Sequence, residues 1–173
     1  TSANYGIGND GRIGLYVEEK DRAWTSSSRD NDMRAITVEC ASDKTTPYAI
    51  NDKVYASLVN LLEDICKRNG KTKVLWFADK EKSLSYKPAA NEIIITLHRW
   101  FAAKSCPGDY IYNRLGQIAD EVNKRLNSVD NSVDEVEPIW QVVCGSFKDK
   151  TNAINRLEAL KKLGFAAFIQ GKV

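Results

Sequence analysis

The amino-acid sequence predicts an α/β protein followed by a small βαβ unit, and three observations support this class. Short runs rich in β-branched residues, bounded by turn residues, recur along most of the chain. Two longer segments carry apolar residues at the three- and four-residue spacing of a helix. Beyond an acidic stretch that ends on Pro138, a strand-like run, a helical segment and a second strand-like run follow in order.

Length and composition narrow the classes of protein. The 173 residues suit one ordinary domain and a smaller unit, and the apolar share of 43% and charged share of 28% are typical of globular proteins. No apolar run approaches the roughly 18 residues of a membrane-spanning helix. The net charge of +2 argues against a nucleic-acid-binding protein, which would show a concentrated basic face. We therefore expect neither a membrane span nor a nucleic-acid partner.

The first element is a β-hairpin. Residues 3–8 and 12–17 are short extended runs, and the Asp10-Gly11 pair between them is a strong turn signal because Gly accepts a positive φ. Tyr5 has two interpretations, a half-buried strand aromatic or a functional group. Three further glycines let backbone or substrate come close, although hairpin geometry alone also accounts for them: Gly6, Gly8 and Gly14.

A loop and a strand follow the hairpin. Residues 23–34 are polar and lack periodicity, which predicts a loop whose Trp24 and hydroxyl-bearing residues form either ordinary surface or one wall of a sugar–peptide groove. Residues 35–41 read as a central strand that contains Glu39. A carboxylate is costly to bury without a partner. Glu39 is therefore either a charge at the solvent-facing end of the sheet or a base beside a metal-bound water.

The next segments are interpreted as packing elements. A helix is predicted from an N-cap at Asn51 or Asp52 to Gly70, which would stop it. Residues 74–77 read as a short strand and residues 79–91 as a polar loop. A second helix is predicted over residues 109–126. We assign no chemistry to either helix.

The most informative stretch is residues 93–108, which contain the only histidine of the chain. A β-branched run leads into His98, and Lys104 and Cys106 follow on a loop that precedes a predicted helix start at Pro107. Imidazole nitrogen and thiolate sulfur are favoured zinc ligands, and a helix start would favour the thiolate. Spacing alone leaves three ordinary roles open: a core histidine, a packed thiol and a solvated lysine.

The four cysteines are far apart and form no C-x-x-C pair. This pattern argues against a disulfide framework. We interpret three of them as packed thiols and Cys106 as a ligand, the others being Cys40, Cys66 and Cys144.

Three blocks resemble one protein family. The segment from Thr96 resembles the closing part of the zinc-dependent type 2 N-acetylmuramoyl-L-alanine amidases, which share a fold with bacteriophage lysozyme-type amidases and peptidoglycan recognition proteins; it reads TLHRWFAAKSCPGDYIYNRLGQIADEVNKRL. Two earlier blocks agree, SANYGIGNDGRIGLYVEEKDRAW and RAITVECASD. Together they cover residues 2–126. The resemblance implies a central mixed β-sheet flanked by helices.

The resemblance also implies a ligand set and roles. In the family's H-x5-K-x-C pattern the first and last residues bind zinc, which matches His98 and Cys106, and the lysine beside the catalytic water matches Lys104. The family's hairpin tyrosine and strand glutamate match Tyr5 and Glu39. The family's first ligand is a histidine on an upstream strand that this chain does not contain, so we expect a domain at residues 1–126 shortened at its N-terminus.

A second unit is expected after the acidic stretch at residues 127–138, which reads as a linker. Residues 139–173 form a βαβ-like pattern, below the roughly 40 residues at which domains usually need help to fold alone. The pattern resembles half of a sporulation-related (SPOR) repeat, a type of repeat that binds peptidoglycan glycan strands. Because the second half of the repeat is absent, we expect this unit to contribute to wall binding by pairing either with a second copy of itself or with the main domain.

Three functions of different classes follow. The first is a zinc amidase that cleaves the N-acetylmuramoyl–L-alanine bond in the bacterial cell wall, as a secreted autolysin or a phage endolysin, with Lys104, Tyr5 and Glu39 as catalytic groups. The second is a non-catalytic peptidoglycan-binding module. The third is a cysteine amidase with Cys106 as nucleophile and His98 as base. The expected substrate-contacting residues are Trp24, Arg99 and Trp100.

Overall fold

The computed structural model describes residues 2–128 and 147–164. The chain divides into two units, residues 1–130 and 131–173. Within the described residues the first unit is a mixed α/β domain, as predicted.

The predicted hairpin is confirmed and lies in a three-stranded sheet. Strand β1 (Tyr5–Ile7) pairs antiparallel with β2 (Ile13–Leu15) and parallel with β3 (Val38–Cys40), in the order β2-β1-β3. Gly11 takes a φ of 83° in the turn, and its N–H donates to the carbonyl of Gly8 at 2.8 Å. This positive φ explains the turn glycine, since other residues adopt it at a cost.

A second, two-stranded sheet consists of β4 (Lys73–Leu75) and β5 (Glu92–Ile94), which run parallel. The expectation of one central mixed sheet is therefore corrected for the described residues, where the strands form two separate sheets. The reason is that β3 and β5 each pair along one edge only, and both line a groove instead of bonding to each other.

The helices match the prediction where periodicity was strong and differ where it was weak. The six helices in the described part of the chain are α1 (Arg29–Asp32), α2 (Asp52–Arg68), α3 (Lys80–Ser85), α4 (Asp109–Tyr112), α5 (Leu115–Asn127) and α6 (Lys150–Lys162).

Four predictions about the helices were wrong. Helices α1 and α3 lie in segments predicted as loops, and side-chain caps explain both, because Ser28 and Asp79 accept main-chain N–H groups at their first turns. The helix predicted over residues 109–126 is broken into α4 and α5. Pro107 does not open α4, which begins at Asp109 after Gly108 at a φ of 82°.

Helices α2 and α5 build the core of the first unit. Asn51 caps α2 through bonds of 3.0 Å from the N–H groups of Lys53 and Val54 to its side-chain oxygen. The two helices pack against each other and against the sheets. The most completely buried apolar residues on them are Val54, Val59, Ile118 and Val122. This packing positions β1 and β4 in the first unit.

Replacing Ile118 by alanine tests this core. Ile118 is 0% exposed, so its truncation leaves a cavity and is expected to lower the free energy of unfolding by about 2–5 kcal/mol. Urea unfolding followed by circular dichroism measures the change. The matched control is Met33→Ala, at a side chain 56% exposed, for which we expect a change within about 0.5 kcal/mol. Equal effects at the two positions would contradict the assignment of Ile118 to the core.

In the second unit, α6 confirms the helix predicted there. Asp149 caps it by accepting from the N–H groups of Thr151 and Asn152 at 2.7 and 3.2 Å, and Gly164 follows with a φ of 84°. The strands predicted at residues 139–147 and 165–169 lie outside the described residues except for Phe147. None of the described helices is long and apolar enough to cross a bilayer.

Candidate metal centre

Three potential metal ligands converge in the first unit. A carboxylate oxygen of Glu39, a ring nitrogen of His98 and the sulfur of Cys106 all lie within 4.8 Å of one another. Glu39 comes from the middle of β3, and the other two come from the loop between β5 and α4. Among the described residues this is the one group of three such side chains.

The loop that carries His98 and Cys106 is closed by its own main chain. Buried Leu97 anchors the loop at the end of β5, and a 3-10 turn begins at His98. The N–H of Arg99 donates to the carbonyl of Cys106 at 3.2 Å, and the N–H of Ala102 donates to that of His98, also at 3.2 Å. These bonds fold the loop back, so that two residues eight positions apart meet.

The side chain of Arg99 strengthens the same closure. Its guanidinium donates to the carbonyl of Ser105 at 2.5 Å and to the carboxylate of Asp109 at 3.3 Å. It also lies over the ring of Tyr112, at 5.1 Å from the centroid. Arg99, predicted to contact substrate, thus makes internal contacts. These contacts position the loop that carries His98 and Cys106, between β5 and α4, which we call the ligand loop.

A serine missed by the sequence analysis contacts the histidine. The hydroxyl of Ser27 lies 3.1 Å from Nε2 of His98, and Ser27 has a φ of 65°. The loop is held in this conformation by Ser26, whose N–H and hydroxyl donate to Asp32 at 2.9 and 2.6 Å. Only the general pattern of hydroxyls in residues 23–34 hinted at this, because the contact spans 71 positions.

Electrostatics at Cys106 differ from the expectation. Burial, and next the negative charge of Glu39, raise the pKa of the Cys106 thiol above its usual value. Burial likewise raises the pKa of the adjacent Cys40 to about 12. The predicted lowering by a helix start is not seen, since α4 has only four residues and begins two positions after Pro107. The guanidinium of Arg99 lowers the pKa of the Cys106 thiol, but burial and Glu39 outweigh it, so this environment favours the neutral thiol.

Lys104 lies on the same loop and is exposed. Its ammonium makes no hydrogen bond or ion pair with any residue that the structure describes. The predicted role at the reacting atoms is thus neither supported nor opposed by a contact.

The hydrogen bonds of the Tyr5 hydroxyl go to residues other than the three donors. Tyr5 is paired in register with Val38, the neighbour of Glu39, and successive side chains of a strand point to opposite faces. Its hydroxyl donates to Glu19 at 2.7 Å and accepts from Arg68 at 3.3 Å. Burial, and next the bond to Glu19, raise the pKa of Tyr5. These bonds link the hairpin strand to Arg68 of α2, and the catalytic role of Tyr5 stays a prediction.

The two tryptophans predicted to contact substrate differ in exposure. Trp24 is 65% exposed, with the guanidinium of Arg22 at 4.1 Å from its ring centroid. Trp100 is half-buried and stacks on Trp76 at a centroid distance of 5.6 Å. Trp24 is therefore available to a ligand, whereas Trp100 packs against the core.

A groove of about 650 Å³ adjoins the donors. It is lined by β3 and β5 together, and Glu39, His98 and Cys106 all belong to its lining. A substrate in this groove would contact all three side chains. The thiols of Cys40, Cys66 and Cys106 are free, as predicted, and Cys144 lies outside the described residues.

The donor set fits a zinc site in type and number. Catalytic zinc is bound by three protein ligands drawn from sulfur, imidazole and carboxylate, with bond lengths of about 2.0–2.3 Å. Such bonds place the ligand atoms of one tetrahedral site about 3.3–3.8 Å apart. The observed limit of 4.8 Å between donors therefore requires only small side-chain movements to close around one ion.

Comparison with known proteins agrees with this geometry. The family model for N-acetylmuramoyl-L-alanine amidases of type 2 matches residues 1–109, which include β1 to β5 and all three donors. Searches of curated proteins and of solved structures find no significant match. The matched span exceeds half of the chain, and it follows that this protein belongs to the type 2 family of N-acetylmuramoyl-L-alanine amidases.

Proposed function

We propose that this chain is a zinc-dependent peptidoglycan hydrolase that cleaves the amide bond between N-acetylmuramic acid and L-alanine. The observation that carries the proposal is the convergence of Glu39, His98 and Cys106 in the lining of one groove. A zinc ion held by these residues would polarise the amide carbonyl and lower the pKa of a water molecule. The family to which the chain belongs supports the same substrate.

We assign Glu39 as the third metal ligand. Catalytic zinc takes three protein ligands, and Glu39 is the remaining donor of the one group of three found in the described residues. This differs from the role of proton acceptor expected for Glu39. The exchange of glutamate for glutamine separates the two roles, as described below.

Lys104 is proposed to stabilise negative charge on the amide oxygen. It lies between His98 and Cys106 in the chain, on the loop that brings those two residues together. Because its ammonium is exposed and has no partner in the described part of the chain, it is free to turn toward a substrate. A fixed positive charge near a developing oxyanion lowers the barrier most where water is excluded.

The groove is proposed to hold the stem peptide in an extended conformation. Among the strands that the structure describes, β3 and β5 each pair with one neighbour, so each has an edge whose main-chain groups a peptide could use. Both strands line the groove beside the donors. Ser27 would orient the imidazole of His98 through its hydroxyl, since a partner on one ring nitrogen selects the tautomer.

The second unit is proposed to add affinity for the cell wall. This unit contains the helix α6, with Ala153, Leu157 and Leu160 half-buried along one side. Two linked binding units raise the effective concentration of the catalytic unit on an insoluble substrate.

Metal dependence tests the proposed function directly. Purified protein incubated with insoluble peptidoglycan is expected to release stem peptides, to lose this activity after treatment with a chelator, and to regain it with one equivalent of zinc. Mass spectrometry of the products should show new L-alanine N-termini. Hydrolysis that survives chelation and stops on thiol alkylation would favour a cysteine nucleophile, and co-sedimentation with the wall without hydrolysis would favour a binding module.

A further inference from the structure

An aromatic ring packs over two glycines of the hairpin, on one face of the sheet. Gly6 and Gly14 are directly paired in the register of β1 and β2. A Cβ atom at Gly6 would lie 2.5 Å from Cε2 and 2.9 Å from the hydroxyl oxygen of Tyr16, and one at Gly14 would lie 3.4 Å from Cε1. The ring of Tyr16 therefore covers both glycines at a distance that leaves no room for a side chain at Gly6.

This face also bears Glu39. Gly6 is paired with Glu39 in the parallel ladder of β1 and β3, and residues directly opposite each other in neighbouring strands share a face. Tyr16 and Glu39 together line a second cavity of about 380 Å³, with Ser2 and Ala3. Glu39 lines the large groove as well, so its carboxylate stands between the two spaces.

The position of Tyr16 is fixed by the main chain and its side chain is free. Its N–H donates to the carbonyl of Asn4 at 2.9 Å. Asn4 is 1% exposed and holds the following turn by donating to the carbonyls of Val17 and Glu18, each at 3.2 Å. The side chain of Tyr16, by contrast, is part of a residue 72% exposed, and its hydroxyl has no hydrogen-bond partner among the described residues.

We propose that the ring of Tyr16, which packs over Gly6 and Gly14, forms the subsite for the muramoyl sugar. This inference rests on the proposed function and extends it. A pyranose ring presents an apolar face of C–H groups that can pack on an aromatic ring, and hydroxyl groups that can bond to the phenol of Tyr16 and to Ser2. A cavity of about 380 Å³ lies at the small end of ligand sites and suits one sugar ring.

This subsite and the groove together would position the substrate with its sugar on one side of the three donors and its stem peptide on the other. With the sugar against Tyr16 and the stem peptide in the groove between β3 and β5, the bond that joins them lies beside Glu39, which borders both spaces. The subsite also explains why position 6 is a glycine, beyond the demands of hairpin geometry, because any larger residue there would displace the ring of Tyr16.

Variants of Tyr16 test the subsite on the zinc-loaded protein. The probe is soluble N-acetylmuramoyl-L-alanyl-D-isoglutamine, with binding measured by calorimetry and hydrolysis by product release. Tyr16→Ala is expected to raise Kd and KM at least tenfold while kcat changes less than threefold. Tyr16→Phe, which keeps the ring, is expected to show a smaller rise in both. Gly6→Ala should act in the same direction as Tyr16→Ala.

The matched control is Leu15→Ala, at the adjacent residue, which is 55% exposed and points to the other face of the sheet. It should leave Kd and KM within twofold of the starting protein, and melting temperatures should agree among all variants. A Kd for Tyr16→Ala within twofold of the unmodified value, or no binding of the probe by the unmodified protein, would overturn the subsite. Loss of metal-dependent hydrolysis with Kd values that still depend on Tyr16 would instead count against the proposed function.

Discussion

Replacing Cys106 by serine is expected to remove zinc and amidase activity together. The sulfur of Cys106 is one of three donors within 4.8 Å of one another, and a serine hydroxyl is a far poorer ligand than a thiolate. Even residues that merely support a zinc ligand cost about 10–100-fold in metal affinity or activity when changed. We therefore expect the loss of the ligand itself to lower kcat/KM by more than about 100-fold.

The measurement pairs two quantities on the same sample: zinc per chain by mass spectrometry and release of stem peptides from peptidoglycan. Cys66→Ser is the matched control, because Cys66 is a free, buried cysteine on α2 outside the group of donors. It should lower the melting temperature and keep both zinc and activity. Full zinc occupancy in Cys106→Ser would show that the sulfur is not a ligand.

Glu39→Gln decides between the two roles of the carboxylate. As a ligand, Glu39 contributes charge to the metal, so the glutamine variant should bind less than half of the zinc of the unmodified chain under the same dialysis. As a proton acceptor, it would leave zinc bound and abolish turnover. We expect the first outcome, because the described residues offer no other third donor close to His98 and Cys106.

Replacing Lys104 by alanine is expected to lower the catalytic rate strongly, the second large effect that we expect. If the ammonium stabilises the developing oxyanion, its removal should lower kcat by about 10²–10³, the range found for the loss of one oxyanion donor. Zinc content and melting temperature should not change, since the side chain of Lys104 is exposed and its ammonium has no hydrogen-bond or ion-pair partner among the described residues. The outcome is read from initial rates at saturating peptidoglycan fragment.

Lys104→Arg and Lys44→Ala complete this comparison. The arginine variant keeps the charge at the site and should recover part of kcat, whereas Lys44 is an exposed lysine outside the ligand loop whose removal should have no effect. A kcat for Lys104→Ala within threefold of the starting value would remove Lys104 from the mechanism and leave the metal site untouched.

Local sequence was sufficient wherever neighbouring residues alone select the structure. The Asp10-Gly11 turn, the Asn51 cap and the apolar stripe of α2 are decided by backbone conformation and spacing within a few positions, and all three were predicted. Residues 98 and 106 are also close in sequence, and the main-chain bonds of their loop bring them together. This explains why two of the three donors were found as a pair.

Contacts between residues far apart in the chain could not be predicted from local sequence and became visible only in the fold. Which tyrosine stands beside Glu39 depends on strand register, and a shift of one position moves a side chain to the other face. Tyr5 is paired with Val38 and lies on the face of the sheet that packs against α2. Gly6 is paired with Glu39 and lies on the opposite face, where the ring of Tyr16 covers it. The contact of Ser27 with His98 likewise spans 71 positions.

The sequence by itself determined the hairpin, the main helices, the pair of His98 and Cys106, and the family. Only the tertiary structure decided that the donor atoms of Glu39, His98 and Cys106 lie within 4.8 Å of one another, that residues of β3 and β5 line a groove beside them, and that Tyr16 lines a second cavity together with Glu39. The physical reason is that turns and caps are properties of a few adjacent residues, whereas a site is made by strand pairing and packing, which join residues far apart in the chain.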